Sequence, residues 1–142
     1  NVPVVQVSLP AGAGPSDVYA IGQALAGLRE EGVLVIGSGS MTHNLRELRR
    51  EEGPTEPYVS DFCAWVERTL QSSDLSAMLD YRARAPGAAR AHPTDEHFLP
   101  IYFALGAAGW GQSPEVLPQY ISHEVIYGSL SMDAFSLEGS HA

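Results

Sequence analysis

The sequence has no lysine: all eight basic residues are arginine, against 17 acidic ones, for a formal net charge of −9. So acidic a chain repels phosphate backbones, and no basic stripe runs through it, which argues against nucleic-acid binding. The one local basic cluster, Arg46, Arg49 and Arg50, is offset by Glu47, Glu51 and Glu52 and reads as a solvated helix end. A single cysteine, Cys63, excludes an internal disulfide and any CxxC motif. Set among the large apolar residues of DFCAWVERTL, it reads as a buried structural thiol, and it points to a reducing, cytoplasmic compartment. Long apolar runs are missing too. The longest are far too short to span a bilayer, and the first residues form no signal peptide, so no membrane role is expected.

What remains is ordinary globular material. A hydrophobic content of 44% suits one compact domain, or part of a larger one, with a real core. The chain opens on Asn1 and runs straight into NVPVVQVSLP, which predicts a segment of a longer polypeptide. Val2 to Leu9 reads as a strand from its β-branched content. The spacing of Ile21, Leu25 and Leu28 predicts a helix capped by Ser16 or Asp17. Gly32 ends that helix, and Val33 to Ile36 reads as a second strand, apolar on both faces. Strand, helix, strand with short links predicts a parallel βαβ unit.

Farther on, a short helix is expected from Asn44 to Glu51, and a longer one near Pro57 to Leu70 with Phe62, Trp65, Val66 and Leu70 buried. Ser72 or Ser73 would cap another short helix through Leu75, Met78 and Leu79. Tyr81 to Arg90 reads as a loop, and HPTDEHFLPIYFALGAAG as an apolar helix with a polar front. Ser122 to Tyr127 and Ser129 to Leu137 read as strands around a turn at Gly128. The fold class is thus α/β: an open, largely parallel or mixed sheet flanked by helices.

Two stretches carry chemistry. GVLVIGSGSMTHNLREL places Gly37-Ser38-Gly39 after a strand, as a dinucleotide fingerprint would. That fingerprint wants a small third residue where Thr42 stands, and an acidic residue closing a second strand where Glu56 to Asp61 opens a helix. The nucleotide reading fails on both. The other use of such a loop is to turn the chain at the mouth of the sheet and bring His43 to a ligand. AHPTDEHFLP holds His92 and His97 beside two carboxylates and two prolines. Pro100 marks a first-turn position or a kink and stiffens the peptide around His97, which suits a metal ligand. Neither stretch forms a zincin pair. Taken alone, each also admits a plain structural reading, a capped helix start with incidental histidines. His123 and His141 give no functional signal.

GSGSMTHNLREL, HPTDEHFLPIYFALGAAG and YGSLSMDAF, in this order, resemble the C-terminal half of class III extradiol ring-cleavage dioxygenases, in particular their DOPA-dioxygenase-like branch. The likeness runs from NVPVVQVSL to the SMDAF strand, so residues 1–142 are expected to be the C-terminal part of a single catalytic domain. The resemblance implies a mononuclear non-haem Fe(II), with zinc an alternative in the same position, that cleaves a catecholic substrate with O2. It implies that His97 is a metal ligand, that His43 is the acid/base near or on the metal, and that His92 contacts substrate. It also implies two further histidine ligands from an N-terminal half, which these residues do not contain, so that half, or a second chain, would have to supply them.

The chemistry asks for such residues. A catechol must lose protons to chelate a metal, and a neutral histidine can accept one and later return it. Three facial protein ligands leave positions open for both reactants. Two rivals stand beside this expectation: a zinc-dependent hydrolase using the same histidines, and a non-catalytic binding or assembly subunit of the same fold. The sequence leaves a homo-oligomer open.

Overall fold

The computed structural model describes residues 1–49, 51 and 53–138. Arg50 and Glu52 of the charged cluster, and His141, lie outside the described residues. The helices are α1 (Pro15–Ala24), α2 (Pro57–Gln71), α3 (Leu75–Leu79), α4 (Tyr81–Arg84), α5 (Ala88–Ala91) and α6 (Pro100–Ala108). The strands are β1 (Leu117–Ser122), β2 (Val125–Ile126), β3 (Leu130–Ser131) and β4 (Ala134–Glu138).

Helices α1 and α6 cross where both lack a side chain. A Cβ on Gly22 would lie 2.2 Å from the Phe103 carbonyl oxygen, and one on Gly106 would lie 2.1 Å from that of Tyr19. This crossing sets the buried face of α1 as Val18, Tyr19 and Gly22. The expected stripe of Ile21, Leu25 and Leu28 is only half-buried, because α1 stops at Ala24 and a tighter turn carries Leu28. Gly14 caps α1, its N–H donating to the Asp17 carboxylate at 2.9 Å; Asp17 serves from within the first turn.

The core is an aromatic cluster built on α2 and α6. Helix α2 buries Tyr58, Val59, Phe62, Val66 and Leu70, while Trp65, expected inside, is half-buried. Phe62, Tyr81, Phe98 and Tyr102 meet edge-on or tilted at centroid distances of 4.6 to 6.4 Å, the geometry that ring quadrupoles favour. Three polar tips find main-chain partners: Tyr102 Oη donates to Met78 O, Tyr19 Oη to Trp110 O, and Trp110 Nε1 to Leu70 O, while the buried Tyr58 hydroxyl has no partner among the described residues. Asp74 caps α3, accepting from Ala77 N at 2.8 Å. The loop expected at Tyr81–Arg90 is instead α4 and α5, hinged at Gly87 with φ +68°. Tyr81, Ala85, Ala88 and Ala91 turn inward there, small residues letting two short turns lie close against the aromatic cluster.

Strands β1 and β4 pair antiparallel, Leu117 opposite Glu138 and Tyr120 opposite Phe135, with an irregularity between Tyr120 and Ser122. Strands β2 and β3 form a hairpin around Tyr127 and Gly128, both at positive φ. The turn at Gly128 was expected; the break at Met132–Asp133 between β3 and β4 was not. The α/β class holds, as helices with small antiparallel sheets. The expected parallel βαβ pair is not formed among the described residues. Residues 2–9 and 33–36 lie outside every strand, with Val2 and Val4 88% and Leu34 81% exposed. A β-branched run biases the backbone toward extension, but a strand also needs a neighbour to receive its hydrogen bonds. Neither segment has one here.

Candidate active site: two stacked imidazoles

The glycines of the GSGS loop work by close approach. Neither Gly37 nor Gly39 adopts a positive φ. A Cβ on Gly37 would lie 2.2 Å from Pro100 O, and one on Gly39 would lie 2.4 Å from His97 O. Their absence lets the chain lie flat on the start of α6, where Ser40 N donates to His97 O at 2.8 Å. No phosphate cradle results. The helix expected from Asn44 to Glu51 is only a three-residue turn, Leu45–Glu47, capped by the Asn44 side chain.

From Met41 onward the segment is clamped residue by residue. His92 Nε2 lies 2.8 Å from Met41 O. Thr42 Oγ1, fully buried, donates to Ser129 O and accepts from Ser131 N, both at 2.8 Å. His43 N donates to Ala91 O, and Asn44 Nδ2 to Arg90 O, again at 2.8 Å. Arg90 then pairs with Glu47 at 2.7 Å, so part of the expected solvated charge cluster is a fastening.

The segment carrying His97 is held from its other side. Asp95 accepts from Tyr81 Oη at 2.8 Å and from Arg82 at 2.7 Å, and Arg82 also donates to the His92 carbonyl. A turn follows, with Phe98 and Leu99 N–H groups on Asp95 O. The helix starts only at Pro100, which takes the first-turn position. His97 therefore sits before α6, on a turn braced by a buried phenylalanine at its next residue.

These two clamps bring the imidazoles of His43 and His97 face to face, with centroids 3.6 Å apart and planes 13° from parallel. His43 is half-buried, while the His97 side chain is 45% exposed and opens on a groove of about 1040 Å³. Gly39, Met41, Ile121, Asp133 and Phe135 also line that groove. The sequence reading gave Asp133 no role. Its carboxyl accepts from Ser131 Oγ at 2.7 Å, and burial pushes its pKa above the ordinary carboxylate range. His123, without expected function, stacks on Tyr120 and lies 3.8 Å from Asp133.

The stack limits what the pair can do. An imidazole nitrogen binds a metal along a lone pair in its own ring plane, at about 2.0–2.1 Å. Two nearly parallel rings 3.6 Å apart cannot both aim a lone pair at one ion. In this posture one ring can ligate while the other can exchange a proton. No group of three or more His, Cys, Asp or Glu gathers to hold a metal among the described residues.

His92 occupies a different position. It is 0% exposed, packed against Phe62 and Phe98 at 5.6 and 4.8 Å, and presents nothing to the groove. A carbonyl partner requires Nε2 to carry the proton, which leaves Nδ1 a bare acceptor with no partner among the described residues. An unpaired buried acceptor costs ~1–3 kcal/mol. Burial pushes the His92 pKa down to about 4, so the ring is neutral at pH 7. Cys63, expected to be buried, is half-buried, and that burial pushes its thiol up to about 11.

Comparison with known proteins places the chain. The family model for the catalytic LigB subunit of aromatic ring-opening dioxygenase matches residues 1–131, and the chain belongs to that family. It is 37% identical over 117 residues to a 4,5-DOPA dioxygenase extradiol of Beta vulgaris, covering 82% of this chain and 44% of that protein. It is 31% identical over 140 residues to one of Escherichia coli K12, covering 93% and 48%. The crystal structure of an uncharacterised protein from Escherichia coli K12 superposes with a TM-score of 0.74 at 26% identity, over 89% of this chain and 51% of that one. The chain spans about half the length of the curated relatives it matches. No helix among the described residues is long and apolar enough to cross a membrane.

Proposed function

We propose that this chain is the C-terminal part of an extradiol dioxygenase that opens the ring of a catecholic substrate with O2. The observation that carries the reading is the stacking of His43 on His97 at the edge of an open groove. In this reading His97, the more exposed ring, supplies one ligand to a mononuclear Fe(II), a site that zinc could also fill. His43 is the proton-transfer residue. The iron, when bound, would hold the catecholate and O2 side by side and pass electrons between them.

His43 suits its part. A neutral imidazole can take the proton of a catechol hydroxyl and return it to the ring-opened product. Its N–H and flanking residues are fixed to α5 and the β2–β3 hairpin, which holds the backbone that carries the ring beside His97. The remaining ligands come, in this proposal, from an N-terminal half or a second chain, which also covers the exposed apolar residues of segments 2–9 and 33–36. A cytoplasmic setting keeps both Fe(II) and the Cys63 thiol reduced.

The test is O2 uptake by the full-length, iron-loaded protein with simple catechols, followed by absorbance of the ring-fission product. Iron-dependent uptake with a coloured product supports the proposal. Hydrolytic activity that survives strict anaerobiosis, or no turnover with iron bound, overturns it.

A further inference from the structure

We infer that His92 is a positioning residue, holding the Met41 carbonyl so that the His43 ring stays stacked on His97. The inference rests on the proposed roles of that pair, but its geometry stands apart from them. A core position between Phe62 and Phe98 asks for an apolar ring, and His92 brings instead an unpartnered Nδ1 and an N–H aimed at Met41 O, 2.8 Å away. That carbonyl lies two residues before His43. The bond crosses from the segment carrying His97 to the segment carrying His43, beside the His43 N–H on Ala91 O. Together they fix the 41–43 peptides on both sides of Thr42, whose own hydroxyl is tied to the hairpin.

The position excludes two other duties. With no exposed surface the ring reaches no substrate in the groove. Its only polar bond goes to main chain, and its other nitrogen is unpartnered among the described residues, so it relays no proton in this arrangement. A neutral donor of fixed tautomer is what remains. Burial lowers its basicity, which keeps it in that form across the working pH range.

Two substitutions separate the donor from the ring. His92→Phe keeps a ring in the aromatic pocket and deletes the donor; His92→Gln keeps an N–H near the Nε2 position. Full-length protein is assayed for kcat and KM with catechol. In the iron-free form, proton NMR reads the ring-current shift that each stacked imidazole imposes on the other.

His92→Phe is expected to lower kcat about 30- to 100-fold with KM within about 3-fold, as misplacement of a reacting group by an ångström does. The same variant loses the ring-current shift, and His92→Gln restores both. A Phe variant that keeps the shift overturns the inference even if the protein proves to have no ring-cleaving activity. A raised KM with unchanged kcat overturns it in favour of substrate contact. If the Phe variant does not fold, a Gln variant that folds yet has lost the shift overturns it equally.

Discussion

The backbone at Gly39 runs so close to His97 that a Cβ at position 39 would fall 2.4 Å from the His97 carbonyl oxygen. That oxygen also accepts the Ser40 N–H, so the contact joins the two halves of the site. Gly39→Ala must push the loop off the start of α6, and Gly37→Ala meets Pro100 O at 2.2 Å with the same effect. Each is expected to cost ~1–3 kcal/mol by denaturant titration and to lower turnover of the full-length enzyme. Gly27→Ala, with open space around its Cβ and no positive φ, is the control and should change neither. Wild-type stability and activity in Gly39→Ala would show that the approach is unimportant.

The proposed division of labour within the stack predicts different losses for the two rings. His97→Ala should strip most of the iron from the full-length protein, measured by metal analysis after desalting. His43→Ala should retain iron and lose about 10²- to 10⁴-fold in kcat, the range of a missing acid–base group. Equal iron loss in both variants would mean that both rings bind metal, in a posture other than the parallel one seen here.

Much of this site is legible in the sequence, for reasons that differ by residue. Gly37 and Gly39 before His43, and Pro100 after His97, mark places where backbones meet or are held, and such residues announce themselves. Thr42, Ser129, Ser131 and Asp133 do not. Their value lies in hydrogen bonds that join distant segments, and a lone threonine or aspartate carries no sign of its future neighbour. His92 shows the same blindness from the other side. Five residues before His97 it looks like a site residue, and only its burial between Phe62 and Phe98 gives it a different place.

Among the helices, α2 was readable because its apolar residues recur at helical spacing over fifteen residues. The turns α4 and α5 are four residues each, too short for any period to show. For segments 2–9 and 33–36 the β-branched pattern predicted strands that are not formed here, and pairing depends on a neighbour that local sequence cannot describe.

His92 also predicts how stability responds to acid. Its folded pKa of about 4 lies below the ordinary 6.5, so between those values the unfolded chain binds a proton that the folded one does not. The stabilisation is present above pH 6.5 and is lost as pH falls toward 4, by at most about 3 kcal/mol. Urea titrations of wild type and His92→Phe at pH 7 and pH 4.5 isolate it. The difference in stability between the two proteins should shift in favour of the Phe variant at the lower pH. A difference independent of pH would mean that the ring is not held neutral.

Leu34 gives the sharpest test of what covers segments 2–9 and 33–36. It is 81% exposed here, beside Ile36 at 68%, and an aspartate on so open a surface changes stability by under ~0.5 kcal/mol. If a further part of the protein packs over Val33–Ile36, the same charge is buried without a partner, at a cost of several kcal/mol. Leu34→Asp in the full-length protein should then unfold at markedly lower urea than wild type, and the Val33–Ile36 amides of wild type should resist hydrogen exchange. Fast exchange there, with a tolerated Leu34→Asp, would mean that the segment stays at the surface. The further ligands proposed for the histidine pair would then have to reach it by another route.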